Sequence, residues 1–312
     1  MSLITTPLFN QVLVNPAHEC DELCIVSGYA SPAFVQTHYY QLKELHTNTN
    51  IKINLIIGMI RTEGISNISH NSFVRLVSSL DKKFNCYYVI NGAPTHAKVY
   101  VWLKQGQPIY AYAGSPNYSA NGFYTNREAV SASETVSSYE FYKEILADSV
   151  HCTSAPLEKI KFRKEKLEAP TLVDKYKMTD VTEVSLLDSS GEIHTRSGLN
   201  WGQRENRNKN EAYIPVNKEN RKSDFFPPKG IVFTVITDDQ VSFELVRAQD
   251  GDKALETPQS NAILGAYFRK RLGLASGAFV TKQDLLNYGR TSVIFKKIND
   301  DLYYMDFSRR TT

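Results

Sequence analysis

Along the first half of the chain, apolar positions gather in short unbroken runs separated by segments with a helical repeat. ELCIVSGYA (22–30) and IKINLIIGM (51–59) are apolar on both faces, as buried parallel strands are. Helical spacing follows each run, over about 32–46 and again over 71–80, where Phe73, Leu76, Val77 and Leu80 recur three or four apart. NCYYVI (85–90), HAKVYVWL (96–103), IYAYAGS (109–115) and REAVSA (127–132) read as further strands, and a helix over about 134–149 closes the unit. Strands alternating with helices predict an α/β sandwich around a mixed sheet.

The second half changes texture. TEVSLLD (182–188), EAYIPV (211–216), GIVFTVITDD (230–239), VSFELVRA (241–248), SVIFKKI (292–298) and LYYMDF (302–307) recur as strands between turn signals. Two helical pieces interrupt them, NAILGAYFRKRLG (261–273) and TKQDLLNYG (281–289). This predicts a mostly β domain of barrel or pseudobarrel type. Between the halves, PLEKIKFRKEKLEAP (156–170) is charged and bracketed by prolines, so it reads as a linker or short helix between domains 1–155 and 171–312.

At 312 residues the chain is long enough for two ordinary domains. Cys20, Cys24, Cys86 and Cys152 form no CxxC pair, and His18 near the first two lacks a metal-site spacing. They read as reduced thiols of a cytoplasmic protein. No basic start with a cleavage site and no run of about 20 apolar residues is present, so neither a secretory leader nor a membrane partner is expected. Charge is unevenly placed. Residues 1–155 hold 10 basic and 11 acidic side chains, whereas Arg196 to Lys222 alone hold seven basic and three acidic ones. Such an excess suits a phosphate backbone, although a solvated face carries the same signature.

Candidate chemistry sits in PTHAKVYVWLK (94–104). In an extended strand His96 and Lys98 share a face with Tyr100, while Ala97, Val99 and Val101 point into an apolar layer. An imidazole beside an ammonium suits phosphate. A second strand ends in GSPNYS (114–119) and a third begins in NREAV (126–130), so Ser115, Asn117 and Glu128 can meet the pair at one sheet edge. An imidazole can attack phosphorus or protonate a leaving oxygen. Lys98 and Asn117 can stabilise the non-bridging oxygens, Ser115 adds a hydroxyl donor, and Glu128 can fix the tautomer of His96 through its second nitrogen. Taken singly, HxK is a weak pattern and GSPN is a turn; the ordered set is what carries the reading.

HAK followed by GSPN resembles the H-x-K … G-S-x-N signature of the phospholipase D superfamily, and the later glutamate in NREAV resembles its restriction-endonuclease branch of the BfiI and NgoFVII kind. The superfamily's aspartate five positions after the lysine is replaced by Leu103, as that branch permits. With one H-x-K per chain, the resemblance implies a homodimer that builds its site from two chains, a phosphohistidine intermediate, and no cofactor or metal. Leu199 to Phe307 resembles the plant-B3-like reader of the same enzymes, in which two arms grip the major groove of double-stranded DNA. That resemblance puts Trp201, Gln203, Arg204, Arg207, Asn208 and Lys209 on the first arm and Gln259, Asn261, Arg269 and Arg271 on the second. Such side chains can make paired contacts with base edges. It also implies a cognate DNA methyltransferase, and an ATPase partner is conceivable. A DNA-binding regulator with an inactive dimerising half, or a phosphodiesterase of RNA or lipid, are the competing readings.

Overall fold

The structure, a computed structural model, describes residues 3–163, 180–217, 220 and 224–309. It divides into two units, Met1–Lys166 and Leu167–Thr312.

The first unit is built on an eight-stranded mixed sheet. Its strands are β1 (Leu3–Ile4), β2 (Glu22–Ser27), β3 (Lys52–Ile57), β5 (Phe84–Val89), β6 (Lys98–Lys104), β7 (Gln107–Gly114), β8 (Val130–Ala132) and β9 (Ser149–His151), with β4 (Ile65–Ser66) outside it. The order is β1-β8-β7-β6-β2-β3-β5-β9. β2, β3 and β5 run parallel, and every other pairing is antiparallel. The two apolar runs are the parallel centre, as their two-sided hydrophobicity predicts. Side chains then sort by strand parity. Cys24, Val26, Ile56, Val101, Leu103 and Ala111 pack beneath Tyr142 of helix Thr135–Ala147, with Ala97 and Val99 beside them. Tyr100 and Trp102 face the other way, where Trp102 lies edge-on to His38 of helix Pro32–Glu44. Both helices start where a polar cap stands: Ser31 accepts from the Phe34 amide, and the Glu134 carboxylate from those of Val136 and Ser137.

Register places the chemistry. Ser27 at the end of β2 pairs with Lys98 at the start of β6, Val99 with Ala113, and Gly114 at the end of β7 with Val130 at the start of β8. The segments 94–98, 114–118 and 126–130 therefore emerge at one edge of the sheet.

His38 is fully buried, its ring nitrogens on the Tyr118 hydroxyl (2.9 Å) and the Leu13 carbonyl (2.8 Å). Burial pushes its pKa down from 6.5 to about 4. Between those values the unfolded chain binds a proton that the folded unit refuses, so stability is lost as pH falls from 6.5 toward 4. The loss expected from His38 is about 3 kcal/mol. Urea melts at pH 7 and pH 4.5 check it: the acid sensitivity should shrink in His38→Gln, and an unchanged pH dependence would contradict the assignment.

The predicted linker is partly folded. β10 (Phe162–Arg163) pairs in parallel with β4, and the Ile65 amide donates to the Lys161 carbonyl at 2.9 Å. The first unit thus extends past 155, because the alternation in IKFR pairs with an otherwise open edge. Residues 164–170 of the expected linker lie outside the described residues.

The second unit is a seven-stranded sheet of β11 (Val181–Ser185), β12 (Ile214–Pro215), β13 (Val232–Thr237), β14 (Ser242–Ala248), β15 (Ala254–Glu256), β16 (Ser292–Asn299) and β17 (Leu302–Asp306). Its order is β11-β16-β17-β13-β14-β15-β12, and the two outer strands approach each other. The sheet therefore curls into a pseudobarrel. Phe233, Phe243, Leu245, Phe295, Tyr303 and Met305 fill it, closed by Leu264 and Phe268 of helix Ala262–Leu272 and Leu285 of helix Lys282–Tyr288.

Candidate active site and DNA interface

The His96 and Lys98 side chains meet at the edge where β6 begins. Lys98 Nζ lies 2.9 Å from His96 Nδ1 and 3.2 Å from Nε2. His96 is exposed, whereas Lys98 is buried, only 8 % exposed, so the imidazole stands at the mouth with the ammonium beneath it. Burial lowers the pKa of Lys98, and the negative charge of Glu128 partly opposes this.

Asn117 is fixed through its carbonyl end, where Oδ1 accepts from the Tyr29 amide at 3.2 Å. The amide group of Asn117 is thereby oriented by backbone, a second-strand contact that pre-sets a donor. The loop that carries it is clamped: the Tyr118 amide donates to Ser27 Oγ (3.0 Å) and the Tyr100 hydroxyl to the Pro116 carbonyl (2.7 Å). Ser115 donates to Glu128 Oε2 and accepts from the Ala129 amide at 3.1 Å, while Asn126 donates to Glu128 Oε1 at 3.2 Å. The expectation that Glu128 holds the second nitrogen of His96 is corrected here. Its carboxylate is taken up by Ser115 and Asn126, because the β7–β8 register sets its neighbour Ala129 across from Ser115. His96 has Lys98 and Tyr29 as its neighbours instead.

Sequence reasoning missed three residues of this edge. Tyr29 lies edge-on to the His96 ring at 5.5 Å between centroids. A Cβ on Gly28 would sit 2.7 Å from His96 Cδ2, and one on Gly58 would sit 1.9 Å from the Thr95 carbonyl oxygen. Segment 91–96 therefore crosses the ends of β3 and β2 over two glycines, and no larger residue lets it approach. The available signal was a glycine closing each parallel strand, in VSGY and IIGM.

In the second unit the residues expected on the first arm lie on and just after a short helix. Trp201 sits on a short 3-10 helix, Gly198–Gln203, edge-on to Tyr213. The Arg207 guanidinium stacks over its ring at 4.0 Å and pairs with Glu211 at 2.6 Å. Arg204, Asn208 and Lys209 are exposed, with Arg204 Nε donating to the Arg196 carbonyl. Gln203 is a brace, its amide donating to the Gly277 carbonyl at 3.0 Å. The turn 274–280, unassigned in the sequence, is tied to this arm: the Asn210 amide donates to Ser276 Oγ, and the Gly277 amide to Asn210 Oδ1.

The second arm is corrected. Arg269 is 1 % exposed and spends its donors on the carbonyls of Ala278, Gly265 and Leu199. Arg271 pairs with Asp238 (2.6 Å) and Asp239 (3.0 Å) and donates to the Tyr288 hydroxyl and the Phe307 carbonyl. Two residues apart on the helix they leave by different faces, Arg269 toward Leu199 and Ala278 and Arg271 toward Asp238 and Phe307, and neither is free for DNA. Asn261 accepts from the Thr257 amide and donates to Glu256, so it closes its own loop. Gln259 is exposed, at the limit of reach of Glu244.

Residues 6–159 match the NgoFVII restriction endonuclease N-terminal PLD domain, and residues 174–299 match the NgoFVII C-terminal B3-like DNA-binding domain. The two matches define a nuclease domain joined to a DNA-binding domain. The chain belongs to the NgoFVII restriction endonuclease family, of the phospholipase D superfamily. DNA is a partner that its second domain supports. No curated protein matches the chain. Among solved structures, it is similar to NucT from Helicobacter pylori, at 15 % identity and a TM-score of 0.34, covering 48 % of this chain and 97 % of that one. It is also similar to Nuc from Salmonella typhimurium, at 13 % identity and a TM-score of 0.35, covering 48 % and 95 %. Polyphosphate kinase from Porphyromonas gingivalis follows at 10 % identity and 0.32, covering 47 % and 22 %. Among the described residues no helix is long and apolar enough to cross a membrane.

Proposed function

We propose that this chain is a type II-like, sequence-specific restriction endonuclease that cleaves DNA without a metal, through a phosphohistidine at a site shared by two chains. The contact of Lys98 Nζ with both ring nitrogens of the exposed His96, at 2.9 and 3.2 Å, carries the reading. The buried ammonium feels the charge of Glu128 but forms no ion pair among the described residues, since that carboxylate is bonded to Ser115 and Asn126, so an anion completes the site. His96 attacks phosphorus and forms a P–N bond as the bond to the 3′ oxygen breaks. His96 of the partner subunit donates the proton that the leaving oxygen takes. Water then attacks the phosphohistidine, with the same partner imidazole accepting its proton, and the 5′-phosphate leaves. Lys98 and the Asn117 amide carry the charge that builds on the non-bridging oxygens. Glu128 holds Ser115, and through it the turn of Asn117. The first arm, with Trp201, Arg204, Arg207, Asn208 and Lys209, contacts the duplex, and Gln259 borders it from the second. A methyltransferase of the same specificity protects the host in the cytoplasm, and an ATPase partner belongs to the same proposal.

Incubation of purified protein with genomic-length duplex DNA in excess EDTA tests it. Discrete fragments with 5′-phosphate ends are expected, at a rate unchanged by added Mg²⁺. Cleavage that appears only when a divalent ion is restored would refute the metal-independent chemistry.

A further inference from the structure

The ten lysines and arginines of residues 1–155 are sorted by the sheet. Lys52 opens β3, Lys82 and Lys83 precede β5, Lys104 ends β6, and Lys43 lies in the last turn of helix Pro32–Glu44. All five fall at the edge opposite the candidate active site, because β2, β3 and β5 start there and β6 ends there. Arg75 and Lys143 lie within helices that cover the sheet. Three cations remain at the catalytic edge: Lys98 in the centre, Arg61 and Arg127 to either side.

We propose that this edge is a track for one DNA strand, with Arg61 and Arg127 binding phosphates that flank the reacting phosphodiester. The proposal rests on the nuclease reading of the site above. Arg61 follows β3 on the short helix Ile60–Glu63, and its guanidinium donates to the carbonyls of Gly92 (2.8 Å) and Ile90 (3.4 Å), just past β5. Two backbone acceptors thus hold an exposed cation at the β5 end while its remaining N–H groups stay open to solvent. From Gly92 the chain returns across Gly58 and Gly28 to His96, so Arg61 stands at the start of the same strip.

Arg127 stands at the other end, before β8. It is exposed and has no ion pair or hydrogen bond among the described residues. Its place is nevertheless fixed, because Asn126 and Glu128 on either side of it are bonded to each other and Ala129 to Ser115. Glu63, two residues along the chain, and Asp148, beside Gly92, form no ion pair with Arg61 among the described residues, and Glu128 is occupied by Ser115 and Asn126. From β8 to β5 the edge crosses six strands, about 24 Å at the usual strand spacing. One DNA strand carries a charge every ~3.4 Å of helix axis, so several consecutive phosphates fit along it. An arginine fork suits each flanking phosphate.

The test uses the full chain and two substrates. One is genomic-length duplex DNA at several salt concentrations; the other is thymidine 5′-(p-nitrophenyl phosphate), which has a single phosphodiester and no flanking phosphates. Arg61→Gln and Arg127→Gln should each lower kcat/KM on DNA about tenfold, mainly through KM, and flatten the salt dependence by about one phosphate contact. Hydrolysis of the nitrophenyl ester should stay within about twofold, and Arg61→Lys should keep the parent's salt slope. Unchanged DNA cleavage with an unchanged slope would overturn the track. So would an equal loss on the small ester, since Arg61 would then only brace the strip that carries His96. A parent inactive on both substrates refutes the nuclease reading itself and the track with it, a pattern distinct from an active parent with indifferent variants.

Discussion

His96→Ala is expected to abolish DNA cleavage, by at least about 10⁴-fold, while leaving DNA affinity within a few-fold of the parent. The size follows from the proposed role: without the imidazole no P–N bond would form, and the remaining groups would only hold the phosphodiester. Lys98 keeps its place on β6, because its neighbours in the register with Ser27 are unaffected, so the anion site persists. His96 is exposed, so its loss opens no cavity in the core and little change in stability is expected. Cleavage is measured with enzyme in excess over DNA, and affinity by titration at fixed salt. A verified His96→Ala protein that cuts at near-parent rate would remove His96 from the mechanism. An acid-labile, alkali-stable protein–DNA adduct in the parent that vanishes in the variant would tie the loss to the covalent step.

Why the sequence exposed some of this site and concealed the rest is a question of range. The His96/Lys98 face is set by strand parity, a local rule, and the structure keeps it even though β6 begins only at Lys98. That segments 114–118 and 126–130 join the pair depends on β6, β7 and β8 being consecutive antiparallel neighbours, which short connections make the default. The partner of Glu128 was not legible: whether a carboxylate meets His96 or Ser115 turns on a step of one strand in the sheet. Gly28 and Gly58 fell inside the two apolar runs with no role of their own, since that role is visible only once segment 91–96 lies across them. Short elements escaped for want of any period, among them β1, β9 and β15, each two or three residues long. Residues 156–163 were read as linker because charge dominated the pattern, yet two alternating residues sufficed to pair with β4.

The arginines of the second unit show the same limit most sharply, and they yield the largest expected effect on stability. In sequence Arg207 and Arg269 are equivalent cations in polar, basic stretches. In the structure Arg207 stacks on Trp201 at the surface, whereas Arg269 is 1 % exposed and bonds the carbonyls of Leu199, Gly265 and Ala278. Leu199 lies at the root of the first arm and Ala278 in the turn tied to it, so one buried guanidinium joins both to the helix. Arg269→Ala removes the donors and leaves buried carbonyls without partners, at a cost of roughly 3–5 kcal/mol. For a unit of this size that lowers its melting temperature by about 10 °C or more. Arg207→Ala should leave the melting temperature within about 2 °C and instead weaken binding to the cognate duplex by roughly 1–3 kcal/mol. If Arg207 reads a base, preference relaxes at one position; if it holds a phosphate, all sequences weaken alike and the salt slope falls. Calorimetry on both full-length variants, with selection from random duplexes and titration of the enriched site, separates these outcomes. An Arg269→Ala protein that melts like the parent but binds DNA poorly would return that arginine to the reading surface.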